Sequence, residues 1–233
     1  MSVHLTLVGV VHRDPEGGEK LLRLLESLRP DAMTVELSPL GLVWREARSR
    51  ELLQRLDELV RHFPPGGRGH DQVQLIREAL RIPFEFSASQ SYAGRHGVPL
   101  HLVDFNWVSR EHLPWYESEI ITSHNLKALL EEPARSLAAR VNKEYRRAEA
   151  CLAQGLSKKD KESATWEEAN SRRRERFLAC RVRSVAERHR RVTHIGGWVH
   201  LVCDAEGHSL ASLLREIEPQ RLLLGAERPG LSS

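Results

Sequence analysis

The chain reads as an α/β protein with a central mixed, largely parallel sheet flanked by helices. Three observations predict it. Short apolar runs recur at residues 3–8, 31–37 and 191–195, helical stretches with apolar stripes separate them, and each run ends near a histidine or a carboxylate. A continuous rather than alternating apolar run is the mark of a strand buried on both faces, as parallel strands are.

Residues 3–8 form the first such strand. Asp14-Pro15-Glu16 then starts a helix, with proline at an early position and acids facing the positive end of the dipole. Leu21, Leu22, Leu24, Leu25 and Leu28 supply its apolar stripe, and Arg29-Pro30 ends it. Residues 31–37 follow as a strand, which completes a βαβ unit with parallel strands. The carboxyl ends of both strands then share one edge, so His12 and Glu36 can meet there. Residues 42–63 are helical by the spacing of Leu52, Leu53, Leu56, Leu59 and Val60, and residues 64–69 break the pattern as a candidate flap. Helices are expected over 71–80 and 83–95, the second with Glu85 in its first turn, and a strand over 98–104 that ends on Asp104. Residues 109–154 are charged and helical with breaks near Pro114 and Pro133, and residues 155–163 form a polar loop. Helix returns over 166–190, followed by a strand at 191–195, an amphipathic helix at 209–217 and a last strand at 221–224. The reading is one domain over residues 1–233, with residues 109–190 as a helical insertion that covers the sheet edge.

Composition narrows the class. Hydrophobic residues make up 40% and charged residues 29%, ordinary values for a globular protein. The formal net charge of +3 excludes a polycation. No run reaches the 18 apolar residues of a transmembrane helix, and the first residues lack a signal-peptide pattern. Cys151, Cys180 and Cys203 are odd in number and lack Cys-x-x-Cys spacing, which points to reduced thiols and a cytoplasmic protein. No P-loop, Gly-x-Gly-x-x-Gly or Gly-x-Ser-x-Gly occurs, against NTPase, dinucleotide-binding and serine-hydrolase readings.

Two strands end in the same pattern, Gly9-x-x-His12 and Gly197-x-x-His200. Glycine lets the backbone turn and lets another group approach closely. Two neutral imidazoles plus one carboxylate would suit a catalytic metal with open positions. Among 12 histidines and 15 glycines such a pattern also arises by chance, so the alternative is a pair of satisfied strand-end histidines.

Taken together the motifs resemble the TraB/PrgY/Tiki family. Val8-Gly9-Val-Val-His12, then Arg29-Pro30-Asp31-Ala-Met-Thr-Val-Glu36-Leu37, is similar to that family's opening. Pro83-Phe84-Glu85 resembles its Pro-Gly-x-Glu helix, with Phe84 where glycine is usual, and Leu102-Val103-Asp104 matches its strand ending in aspartate, with Phe105 where arginine is usual. Arg174-Glu175 and Gly197-Trp-Val-His200 fall where the family has its Glu-Arg segment and its second Gly-x-x-His. The resemblance implies an α/β core akin to the erythromycin-esterase-like and ChaN-like group, and metal-dependent hydrolysis of a peptide or small-molecule substrate. It implies His12, Glu36, Asp104 and His200 as ligands for Mn, Co, Zn or Fe. Glu36 or Glu85 would deprotonate water, and Arg174 beside Glu175 would anchor a substrate carboxylate or an oxyanion. The plainer alternatives are that Glu36 and Asp104 cap helices, that Glu85 is a first-turn acid and that Arg174–Glu175 is a structural pair.

Arginines at 172, 173, 174, 176, 181, 183, 188, 190 and 191 make a nucleic-acid reading legitimate. Phe177, Leu178, Val182 and Val185 give that helix an apolar side, and few aromatics interleave, so a solvated or substrate-facing arginine face is preferred. Three readings stand in order: metal-dependent hydrolase, non-catalytic binder of metal, haem or a small ligand, and nucleic-acid adaptor. A homo-oligomer is left open.

Overall fold

The computed structural model describes residues 3–63, 66–154, 168–204 and 206–225. Pro64 and Pro65 of the expected flap, and the polar loop at 155–163, lie outside them. Five strands, β1 (His4–Val10), β2 (Ala32–Val35), β3 (Leu100–Leu102), β4 (Arg191–Gly197) and β5 (Gln220–Leu223), form one sheet in the order β3-β2-β4-β1-β5. Every pair is parallel, so no mixed pairing occurs among the described residues. Only the first residue of β1 and of β4 is exposed, and all four of β2 are buried, which is why these strands read as unbroken apolar runs.

Both faces are covered. On one, Val8, Val10, Met33, Val35 and Ile195 pack against α1 (Gly17–Leu28), α4 (Phe84–His96) and α7 (Leu137–Gln154). On the other, Leu5, Leu7, Ala32 and Val192 meet Leu178, Ala179, Val182 and Val185 of α8 (Glu168–Ala186). The arginine helix therefore owes its place to its apolar stripe. Phe84 packs its ring against Gly17 of α1, where any side chain would collide with it.

A separate apolar cluster joins α2 (Pro39–Val60), α3 (Asp71–Leu80) and α6 (Ser123–Glu131) through Leu52, Leu56, Val60, Val73, Ile76, Leu80, Ile121 and Leu126. Residues 109–190 are thus not one covering insertion. Their first part joins α2 and α3 in this helical layer, while α7 and α8 flank the sheet. The expected breaks at Pro114 and Pro133 hold: α5 (Asn106–His112) stops before the first, and the second separates α6 from α7. The helix expected over 209–217 is one α-turn, Leu210–Leu213, then a 3-10 turn, Arg215–Ile217, because Leu214 leaves helical geometry at φ −105° and ψ 10°.

Chain order explains where a site forms. The connection leaving β1 passes over β4 to reach β2, whereas the one leaving β4 passes over β1 to reach β5. The two run on opposite faces of the sheet, α1 on one and Leu210 and Leu214 on the other, which opens a crevice at the carboxyl ends of β1 and β4. The β1–β4 register pairs Val10 with Gly197, so the segments carrying His12 and His200 emerge side by side.

Candidate active site

Glu36 follows β2 directly and is the hub. Its Oε2 accepts the Gly197 N–H at 2.6 Å, and its Oε1 accepts from Arg174 Nη2 at 2.5 Å and pairs with His200 Nε2 at 3.0 Å. Arg174, on α8, turns the rest of its fork onto Asp104, with Nε to Oδ1 and Nη2 to Oδ2 both at 2.8 Å. His200 lies in the 3-10 turn after β4, and its Nδ1 meets Glu175 Oε1 at 2.5 Å. Glu36 and Asp104 cap no helix: Ser38 caps α2, and α5 has no side-chain cap. Arg174 and Glu175 do not pair as neighbours either; each takes a different partner across the site.

His12 sits apart from this buried group. Its Nδ1 is 2.6 Å from Glu85 Oε1, with the imidazole 52% exposed and the Glu85 side chain 5% exposed. The carboxylate accepts from Nδ1–H, which leaves the lone pair on Nε2. Glu85 is in the first turn of α4. The turn bearing His12 is pinned by Tyr145, whose hydroxyl donates to Asp14 at 3.1 Å and accepts from Val11 N–H at 3.4 Å.

The glycines of the two motifs interlock. A Cβ on Gly9 would lie 2.9 Å from the Cα of Trp198, and one on Gly197 would lie 2.9 Å from His12 Nε2. A Cβ on Gly196 would lie 2.7 Å from Glu36 Oε2 and 2.9 Å from His194 Nε2. Each Gly-x-x-His thus leaves room for the other.

Electrostatics follow from these contacts. Burial acts to raise the Glu36 pKa, but His200 and Arg174 hold it well below the usual carboxylate range. Burial opposes charge on His200, yet Glu175 and Glu36 push its pKa up to about 10. Partial burial also works against charge on His12, where the bond to Glu85 and the nearby charges of Glu85 and Glu36 prevail and raise the pKa above 6.5. His194, inside β4, is the reverse case: burial pulls it down to about 4, and its Nδ1 pairs with Thr34 Oγ1 at 2.9 Å.

A cavity of about 450 Å³ opens over this edge, lined among others by His12, Arg13, Glu36, Arg45, Glu85, Asp104 and Arg174. His12, Glu36, Glu85, Asp104 and Arg174, all anticipated, line it, and Glu175 and His200, also anticipated, join the group behind it through the His200 contacts to Glu36 and Glu175. His194, Arg13 and Arg45 were missed. A histidine inside the apolar run Val192-Thr-His194-Ile was a usable signal; Arg45, one charge among many on a long helix, carried none.

The set His12, Glu36, Asp104 and His200 does not fit a metal ion as arranged. Arg174 holds both oxygens of Asp104 and one of Glu36, the Gly197 N–H holds the other, and both nitrogens of His200 face carboxylates. A cation would have to displace the guanidinium. Among the described residues no group of three or more His, Cys, Asp or Glu is disposed to hold a metal. No family model matches the chain, and neither the curated proteins nor the solved structures give a match.

Two outcomes are expected. With its folded pKa raised from 6.5 to about 10, His200 contributes stability that is complete below the lower value and lost as pH rises through the upper one. Denaturant titrations should therefore show the parent exceeding His200→Gln by a few kcal/mol near neutrality, with the gap closing in alkali; a pH-independent gap would contradict the charged pair. Gly197→Ala should fold yet lower the His12 pKa in NMR titration, because the added methyl displaces the imidazole from Glu85; an unchanged titration would contradict the packing.

Proposed function

We propose that this edge is the active site of a hydrolase acting on a peptide or ester, in keeping with the TraB/PrgY/Tiki resemblance but run by an imidazole base. One observation carries the reading: a half-exposed imidazole, held through Nδ1 by a buried carboxylate, lines a cavity at the sheet's switch point. A base oriented by a third group is the arrangement that general-base catalysis needs.

In this reading His12 Nε2 takes a proton from water as the water oxygen bonds to the substrate carbonyl carbon. Glu85 and, more distantly, Glu36 stabilise the imidazolium that forms. Arg174 is kept cationic by Glu36 and Asp104 and faces the same cavity, where it stabilises the developing oxyanion. On collapse the carbon–leaving-group bond breaks, and the leaving atom takes the proton back from His12. Glu36 is ill suited as the base, because both its oxygens are engaged and its pKa is depressed.

The nucleic-acid reading is disfavoured by pairing: Arg172 engages Glu206 at 2.9 Å, Arg183 engages Glu216 at 2.5 Å, and Arg174 is committed to the site. No helix among the described residues is long and apolar enough to cross a membrane.

The test is hydrolysis of a panel of p-nitrophenyl esters and fluorogenic peptides, with and without a chelator. Activity should persist in chelator, rise with pH through a value above 6.5, and fall roughly 100- to 10,000-fold in His12→Ala, as loss of a general base does. Activity abolished by chelator and restored by Mn, Co, Zn or Fe would instead favour metal-activated water. Absence of turnover on the whole panel would count against a hydrolase.

A further inference from the structure

The cavity's acids are all matched. Glu36 and Asp104 face Arg174, Glu85 faces His12, and Glu78 faces Arg81 at 2.7 Å. Two cations on the same wall, Arg13 and Arg45, are not matched: neither has a carboxylate partner among the described residues. Arg45 Nη1 donates only to the Gly41 carbonyl, at 3.1 Å, and its Nε is buried with no acceptor. Burial pulls its pKa below the usual arginine value, against the opposing influence of Tyr116 and then Glu85, and the neighbouring charge of Arg13 adds to the lowering. Arg13 is exposed and Arg45 half-buried; a guanidinium whose Nε is out of water without an acceptor is unfavourable, and such groups normally find an anion. Arg13 follows His12 directly and has φ of 69°, a left-handed backbone that side chains other than glycine rarely adopt. Such strain gathers at ligand sites.

We infer that Arg13 and Arg45 form an anion subsite beside His12, so that the substrate carries a carboxylate or phosphate group near its scissile bond. The inference rests on the hydrolase reading and names its substrate class. Two planar forks suit either oxyanion, which each can grip through paired N–H groups. Arg174 does not compete for this group: Glu36 and Asp104 hold its Nε and Nη2, and its place in the reaction is at the oxyanion.

The test measures binding without turnover. Titration calorimetry on the full chain uses inorganic phosphate, N-acetylglycine and the neutral N-acetylglycinamide, with the parent, Arg45→Leu and Arg13→Gly. One or both anions should bind the parent, the neutral amide should not, and each substitution should weaken the anion roughly tenfold or more. Whether phosphate or N-acetylglycine binds identifies the anion's source. Arg13→Gly keeps the left-handed backbone without strain, so it should melt no lower than the parent while losing the charge. Anion binding by neither probe, or by both variants at parental strength, overturns the subsite. Anion binding that depends on the arginines but comes with no hydrolysis upholds the subsite and sinks the hydrolase. Hydrolysis of carboxylate-bearing esters with a KM indifferent to Arg45→Leu does the opposite.

Discussion

Two carboxylates, Glu36 and Asp104, lie buried at one sheet edge because Arg174 lies between them. Without the guanidinium Asp104 would carry an uncompensated charge largely out of water, which costs several kcal/mol, and Glu36 would keep only His200 and the Gly197 amide. The same pair fixes more than charge. It draws α8 against the ends of β2 and the strand beside it, sets Glu175 facing His200, and lets Glu36 reach across to the Gly197 amide. The fold places these segments together; the ion network decides how they meet.

The network also divides the edge into two parts with different chemistry. Below, Glu36, Arg174, Asp104, His200 and Glu175 pair with one another and stay largely out of water. Above, His12 and Glu85 form a pair whose imidazole reaches the cavity. A buried, ion-paired layer is a rigid support and keeps charges of both signs close to the reacting atoms. An exposed imidazole on a buried carboxylate is free to accept and return a proton. The ion-paired support and the proton-transferring imidazole are thus distinct groups, Arg174 alone serving both parts, and the interlocked glycines hold the distance between them.

Much of the architecture was legible from residues 3–8, 31–37 and 191–195, because parallel strands buried on both faces leave an unbroken apolar signature. The positions of His12, Glu36, Asp104 and His200 followed from topology, since parallel strands deliver their ends to one edge. Partner choice did not follow. Arg174 and Glu175 are adjacent in sequence but point to different partners, and only the packing of α8 on the sheet decides which. The metal set was plausible by residue type, yet residue type does not reveal that a guanidinium takes the coordinating oxygens. Arg45 was invisible because a helix rich in charges hides one that happens to face inward. The helical layer of α2, α3 and α6 was missed as a unit because its members are separated by α4 and β3, and periodicity reports an apolar stripe without naming its partner.

The most direct measurement is nitrogen-15 NMR of the histidine side chains across a pH titration. The account predicts that neutral His12 carries its proton on Nδ1, that its pKa exceeds 6.5, and that Glu85→Gln lowers it. A neutral His12 with its proton on Nε2, or a pKa indifferent to Glu85→Gln, would contradict the pair on which the proposed chemistry stands.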